Sequence, residues 1–206
     1  MVAVGQGLPR RGIVDEFQRL WYGGAVGLDH TYFGLKMTTC PLDMAIYAEV
    51  VHALRPGLIV ETGTCEGASA LHFAHLLDQL GHGAVLTIDL ARPTSDYPRH
   101  PRIVYLGGRS PIAEGTLEEI DRWARRAESP VLVTLVSDHS RFKVAAELRA
   151  YADLVTPGSY LVVEHTAAGG PREALHEWLD TRDDYRVDVT LSQKYLVSFN
   201  TWLRRA

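Results

Sequence analysis

The chain has only two cysteines, Cys40 and Cys65, only three lysines, and no apolar run longer than a few residues. Two cysteines without CxxC spacing or a Cys/His cluster support neither a disulfide framework nor a zinc site of the finger type. Apolar stretches such as Val131–Val133 and Leu161–Val163 fall far below the ~20 residues that a membrane-spanning helix needs. Charge of one sign is lacking too: 21 basic residues face 25 acidic ones, for a net charge of -4. No Lys/Arg block exceeds a pair such as Arg125-Arg126, so a nucleic acid is not expected as main partner, since phosphate binding needs a concentrated positive footprint. The first residues, Met1–Gly7, lack the charged segment and apolar core of a secretion signal, and the expectation is a soluble cytoplasmic protein acting on a small molecule. The content of 46% hydrophobic and 22% charged residues over 206 positions suits one globular domain rather than a disordered chain or a coiled coil.

What is present is an alternation of short apolar runs with amphipathic stretches. Ile13, Val14, Phe17 and Leu20 recur at helical spacing, and Gly23-Gly24 and Gly27 end that pattern in an aromatic-bearing segment with Tyr22, Tyr32 and Phe33. Pro41 is placed as a first helical residue, and the helix runs to Leu54 before Arg55-Pro56-Gly57. Strands are expected at Leu58–Glu61, Ala84–Asp89, Arg102–Leu106, Val131–Val136 and Tyr160–Glu164. Helices are expected from Ser69, near Pro111–Ala127 and over Arg141–Leu154. This is the β-α-β rhythm of a parallel sheet covered on both faces. Arg186–Leu191 and Leu196–Leu203 read as two further strands, and the four residues between them permit only an antiparallel pair.

The first strand leads into Glu61-Thr62-Gly63-Thr64-Cys65-Glu66-Gly67-Ala68-Ser69. In a parallel sheet, ligands bind outside the carboxyl ends of the strands, where glycines turn the chain and a helix N-terminus offers free N–H groups. A plain strand-to-helix turn would use one glycine; here both Gly63 and Gly67 make room. Asp89 closes the next strand, where a carboxylate can accept from the two hydroxyls of a ribose. That ribose belongs to NAD and to S-adenosylmethionine alike. The G-x-G-x-x-G of a pyrophosphate cradle is missing, and Glu61 stands just before the turn, where it would repel pyrophosphate and attract an ammonium group. S-adenosylmethionine is therefore the expected cofactor.

The sequence resembles the class I methyltransferases, and within them the cephalosporin hydroxylase and macrocin or rhamnosyl O-methyltransferase group. The likeness is carried by Pro41-Leu42-Asp43, Arg55–Thr64, Gly67–Ala70, Gly108-Arg109-Ser110, Ser137–Ser140, Glu147-Leu148-x-x-Tyr151, Pro157–Glu164 and the closing Ser198-Phe199-Asn200. It implies a Rossmann-like α/β fold, a seven-stranded, mostly parallel sheet with helices on both faces and an antiparallel last strand. It divides the chain into an N-terminal helix and lid segment, residues 1–40, and a methyltransferase domain, residues 41–206, and implies a homo-oligomer. By the same resemblance Glu61 and Ser69 hold the methionine end of the cofactor, Asp89 the ribose, and Ser110 the adenine region. Ser110 also fits a helix N-cap ahead of Pro111, and the two roles are compatible.

Metal-dependent relatives of this group place an Asp at the end of one strand and an acidic pair at the end of the next, together holding Mg²⁺. Here the first position is Val136 and the pair is Glu164-His165. Valine coordinates nothing, and His suits softer ions than Mg²⁺. Two forms stay open: a metal-free site, or a rearranged one in which Asp138, Glu164 and His165 hold a divalent ion. His139 falls where such relatives carry a proton-accepting lysine, and an imidazole, supported by Asp138 or Glu164, can do the same work near neutral pH. The alternative for His139 is a structural cap on the helix from Arg141. The expected activity is O-methylation of a small hydroxylated natural product with His139 as general base and Asp138 beside it. The alternative is a methyltransferase-fold protein with altered chemistry, such as a cyclase, a hydroxylase-like catalyst or an accessory protein, because Val136 replaces the usual Asp.

Overall fold

Proline at the first turn and a left-handed Arg55 (φ +52°) ahead of Pro56 bound helix α1, Pro41–Leu54, as their fixed or strained dihedrals require. The computed structural model describes residues 29–94, 96–127, 130–136, 139–166, 169–194 and 198–206, with Gly12, Glu16, Phe17, Arg19, Leu20 and Trp21. These six N-terminal residues are helical, as expected, while Ile13, Val14, Tyr22 and the glycines after it lie outside the described residues. A short hairpin, β1 (Thr31–Tyr32) and β2 (Leu35–Lys36), precedes α1. It was not anticipated, since two-residue strands carry no periodicity to read.

The core follows as β3 (Leu58–Thr62), α2 (Ala68–Leu80), β4 (Ala84–Asp89), β5 (Ile103–Gly107), α3 (Glu114–Arg126), β6 (Val131–Leu135) and α4 (Arg141–Tyr151). A single 3-10 turn, Ala152–Leu154, leads to β7 (Tyr160–Val163), α5 (Gly169–Leu179), β8 (Tyr185–Val187), α6 (Val189–Ser192) and β9 (Thr201–Arg205). Seven strands form one sheet in the order β5-β4-β3-β6-β7-β9-β8, parallel except for β9, which runs antiparallel to both neighbours. The α/β architecture and the antiparallel end of the sheet agree with the sequence expectation.

Two details differ. The expected strand Arg186–Leu191 ends at Val187, because the Asp188 side chain accepts the Leu191 N–H at 3.0 Å and caps a helical turn. The β8–β9 connection is therefore longer than four residues. The helix expected from Pro111 starts at Glu114.

Helices α1 and α2 cover one face of the sheet through Ile46, Val50, Phe73 and Leu77, packed on Ile59, Val85 and Leu132. Helices α3, α4 and α5 cover the other through Ile120, Leu148 and Trp178, packed on Val60, Leu86 and Val133. Strand β3 is buried at every residue, as a central parallel strand must be. Among the described residues no helix is long and apolar enough to cross a membrane. Trp202 of β9 is fully buried, with ring centroids 4.8 Å from Tyr47 and 5.9 Å from Tyr160. Truncating it to alanine is expected to cost about 3–5 kcal/mol, measured by chemical denaturation.

Candidate active site

Strands β4 and β5 extend the sheet from β3 in one direction and β6 and β7 extend it in the other. At such a reversal the flanking loops part and leave a crevice beyond the strand ends. A cavity of about 750 Å³ occupies that place, lined by Gly63, Ser69, Asp89, Val136, His139 and His165, with Lys36–Thr39, Cys65, Glu66 and Gly170 among its other walls.

The glycine loop is built as its composition demands. Gly63 (φ +89°) turns the chain off β3 and its N–H donates to the Ile88 carbonyl at 2.7 Å. Gly67 (φ +80°) caps α2, and a Cβ there would come within 2.9 Å of Pro98 and 3.3 Å of the Tyr105 hydroxyl. Asp89 accepts the Cys65 N–H on Oδ2 at 3.0 Å and the Ala91 N–H on Oδ1 at 2.9 Å. These bonds aim the carboxylate. Asp89 also lines a second, smaller cavity of about 110 Å³ that holds Ser110, so it stands where the two spaces meet.

Glu61 is fully buried and lies behind this wall rather than on it. Its Oε2 accepts the Thr87 hydroxyl at 2.6 Å, and its Oε1 has no hydrogen-bond partner. Burial raises its pKa to about 7, against the pull of the Ser69 and Thr87 hydroxyls, with Asp89 adding to the rise. Glu164 is likewise turned inward: its Oε1 accepts from Tyr47 at 2.7 Å and from Thr134 at 3.3 Å, and the residue is 3% exposed. Burial, reinforced by Asp43 and Glu61, lifts Glu164 to about 8.

His165 does reach the cavity. Its Nδ1 lies 3.2 Å from His139 Nε2, and the two rings meet edge to face with centroids 4.6 Å apart. Burial and the neighbouring His139 bring the pKa of His165 down to about 4, so it is neutral at physiological pH. His165 holds a left-handed backbone (φ +56°), strain of a kind that persists when the surroundings impose it. The Asn200 side-chain oxygen accepts its N–H at 3.3 Å, and the Asn200 segment is tied to α1 through Asp43, which accepts from Ser198 Oγ at 2.7 Å and from the Phe199 N–H at 3.2 Å. On the other side, a Cβ at Gly170 would lie 2.6 Å from the His139 carbonyl oxygen. Only glycine lets α5 approach His139 this closely.

The structure thus brings Gly63, Ser69, Asp89, His139 and His165 to one cavity and Ser110 to its neighbour, while Glu61 and Glu164 sit behind the walls. Asp138 lies outside the described residues. Tyr47 and the Lys36–Thr39 wall escaped sequence reasoning, and Asn200 entered it only as part of the closing segment, without a role. One signal was available for the buried pair: Thr87 and Thr134 are polar residues in otherwise apolar strands.

The family model described as Rhamnosyl O-methyltransferase/CmcI matches residues 25–206. The chain belongs to this family. A rhamnosyl O-methyltransferase of Mycobacterium leprae (strain TN) is 31% identical, over 94% of this chain and 90% of the relative's length. A CmcI structure with Mg and SAM is similar with a TM-score of 0.70 at 20% identity, covering 100% of this chain and 88% of that one. CalS11, a TDP-rhamnose 3'-O-methyltransferase of calicheamicin biosynthesis, gives a TM-score of 0.57 at 16% identity over 97% and 96% of the two chains. The fold is that of the rhamnosyl O-methyltransferase/CmcI family.

The described donors of this member do not fit Mg²⁺. That ion needs hard oxygen ligands, and the position that the sequence resemblance gives it offers, among the described residues, the hydrocarbon of Val136, a Glu164 carboxylate held by Tyr47 and Thr134, and a neutral imidazole. Among the described residues no group of three His, Cys, Asp or Glu side chains is placed to hold a metal.

The buried carboxylates make stability depend on pH. Glu61 (about 7) and Glu164 (about 8) bind protons more tightly folded than unfolded, so between pH 6.5 and 8 the folded state loses protons that the unfolded chain has already shed. Stability falls as pH rises through that window. His72 and His165, lowered to about 4, act in the opposite sense only below the ordinary histidine value of ~6.5. Thermal melts are expected to show a lower Tm at pH 8 than at pH 6.5, and Glu164→Gln is expected to flatten that difference.

Proposed function

We propose that this family member transfers the methyl group of S-adenosylmethionine to a hydroxyl of a small, sugar-bearing natural product, with His139 taking the hydroxyl proton. The observation that carries this reading is the placement of Ser69, Asp89, His139 and His165 around one cavity at the reversal point of the sheet. The names of the M. leprae relative and of CalS11 support a rhamnose-type acceptor.

The residues present suit the cofactor. Glu61 keeps one oxygen without a hydrogen-bond partner in a buried setting close to Ser69, a position that an ammonium group would satisfy. Asp89, with both oxygens aimed by backbone N–H groups, suits the ribose hydroxyls, and Ser110 borders the cavity beyond it. When bound, S-adenosylmethionine supplies an electrophilic methyl group, so the protein's work is positioning, water exclusion and proton removal. His165 fixes the His139 ring through the imidazole contact, and His139 would take the proton that the acceptor hydroxyl gives up on methyl transfer. The segment before Pro41 serves as the cover: Lys36–Thr39 line the cavity, and the Lys36 N–H donates to Glu66 of the glycine loop at 3.1 Å. Residues 1–40 are accordingly read as lid and 41–206 as catalytic domain, and the exposed rings of Phe33 and Phe142 support self-association.

His139→Ala is expected to lower turnover on a rhamnoside acceptor with free hydroxyls by about 10²–10⁴-fold while calorimetric affinity for S-adenosylhomocysteine stays within a factor of two or so; unchanged turnover would remove His139 from the reaction. Chelator and added Mg²⁺ are expected to leave wild-type turnover unchanged. A second reading, favoured by Val136 and the neutral His165, keeps cofactor binding but changes the chemistry. Tight S-adenosylhomocysteine binding with no methyl transfer to any rhamnosylated or otherwise hydroxylated acceptor would select it.

Ammonium binding at Glu61 must displace the proton that this carboxyl carries below about pH 7. Affinity for S-adenosylhomocysteine is therefore expected to weaken as pH falls from 8 to 6, and Glu61→Gln is expected to weaken binding at pH 8 and remove the pH dependence.

A further inference from the structure

The larger cavity has two halves. Gly63, Ser69 and Asp89 belong to the half read above as the cofactor's, and Met37–Thr39, Val136, His139, His165 and Pro171 to the half left to the acceptor. Among the described residues three charged side chains line it: the carboxylates of Asp89 and Glu66 and the ammonium of Lys36. His165 adds no charge at physiological pH, since burial, reinforced by His139, holds its pKa down at about 4. Glu66 ties the acceptor wall to the glycine loop, its Oε2 accepting the Lys36 N–H at 3.1 Å. Beyond these groups the acceptor half presents hydrocarbon at Met37, Val136 and Pro171 and hydroxyls at Thr38 and Thr39.

This balance separates the two forms in which a sugar can arrive. A nucleotide-linked sugar carries a diphosphate on its anomeric carbon, within one ring's width of the hydroxyl that reacts. Proteins hold such a group with clustered arginines or lysines, with a hard divalent ion, or with the free N–H groups of a helix N-terminus. In this cavity the diphosphate would meet two carboxylates against one ammonium, and the described donors do not fit Mg²⁺. Pro171, in the first described turn of α5, has no N–H to offer. A glycoside instead presents uncharged hydroxyls on the ring edge and C–H groups on the ring faces. Threonine hydroxyls both donate to and accept from the first, and the adaptable side chain of Met37 suits the second.

We infer that the acceptor is an uncharged glycoside, its sugar already joined to an uncharged aglycone, and not a nucleotide-linked sugar. Methyl transfer then follows a glycosyl transfer. In that earlier reaction an aglycone hydroxyl oxygen bonds to the anomeric carbon and loses its proton, and the nucleoside diphosphate leaves with the negative charge. This inference rests on the methyl-transfer reading above and names the class of its substrate.

The test is calorimetric binding of octyl rhamnoside and of TDP-rhamnose to the protein saturated with S-adenosylhomocysteine, alongside methyl transfer to each from S-adenosylmethionine. Octyl rhamnoside is expected to bind at least tenfold more tightly and to show the higher kcat/KM. Thr38→Lys, which adds a cation at an exposed position of the acceptor wall, is expected to cut that preference by threefold or more. Glu66→Gln, which removes one carboxylate, is expected to act in the same direction, with thermal melts showing that each variant is folded. TDP-rhamnose binding as tightly as the glycoside, no binding of octyl rhamnoside, or a preference unchanged in both variants would overturn the inference. Glycoside binding without methyl transfer would uphold the acceptor class and overturn the methyl-transfer reading, and failure to bind S-adenosylhomocysteine at all would overturn the cofactor reading.

Discussion

Two carboxylates buried at the C-terminal edge of the parallel strands impose the demand that the surrounding structure meets. In register across the sheet, Thr87, Glu61 and Thr134 form one row on the face covered by α1 and α2, and Glu164 follows at the end of β7. A buried carboxylate without donors is far costlier than an exposed one. The donors come from the same row and from Tyr47 on the covering helix: Thr87 to Glu61, and Tyr47 and Thr134 to Glu164. What remains is one oxygen on each carboxylate without a partner, and on Glu61 that remainder becomes a preference for a cation. The polar row is thus both a restraint on how the sheet meets α1 and the source of the charge that a methionine ammonium would neutralise.

The two sides of the cavity are held by different means. On the glycine-loop side the backbone does the work, through positive dihedrals at Gly63 and Gly67 and the N–H groups that aim Asp89. On the histidine side the side chains depend on long-range partners. His165 keeps its left-handed backbone beside Asn200, Asn200 belongs to a segment that Asp43 ties to α1, and Gly170 lets α5 close on His139. The second side is the one that carries Val136 and His165 at the positions where the sequence resemblance leads one to expect metal-binding carboxylates. The residues there are held independently of the glycine loop on the opposite wall.

The sequence made the sheet, the glycine loop and Asp89 legible because their signals are local: apolar runs of strand length, glycines a few positions apart, an acid at a strand end. The histidine pair was legible only as two separate candidates. Residues 139 and 165 lie on different loops, and nothing in their spacing shows that the imidazoles meet. The inward turn of Glu164 was hidden for the same reason, since its partner Tyr47 is 117 positions away. The short helix at Val189–Ser192 was misread as strand because β-branched and apolar residues fit either form, and the deciding feature is the Asp188 cap. The β1–β2 hairpin and the cavity wall at Lys36–Thr39 follow from packing on α2 and the glycine loop, which no local pattern encodes.

Helix α4 begins one residue after Ser140, directly beyond His139, and carries Glu147 on its second turn. At 1.5 Å of rise per residue, about 10 Å of rigid helix separates its start from Glu147. The helix therefore works as a fixed gauge between the two cavities. Its start adjoins His139 on the larger cavity and Glu147 lines the smaller one, so the spacing of the two walls is set by one rigid element.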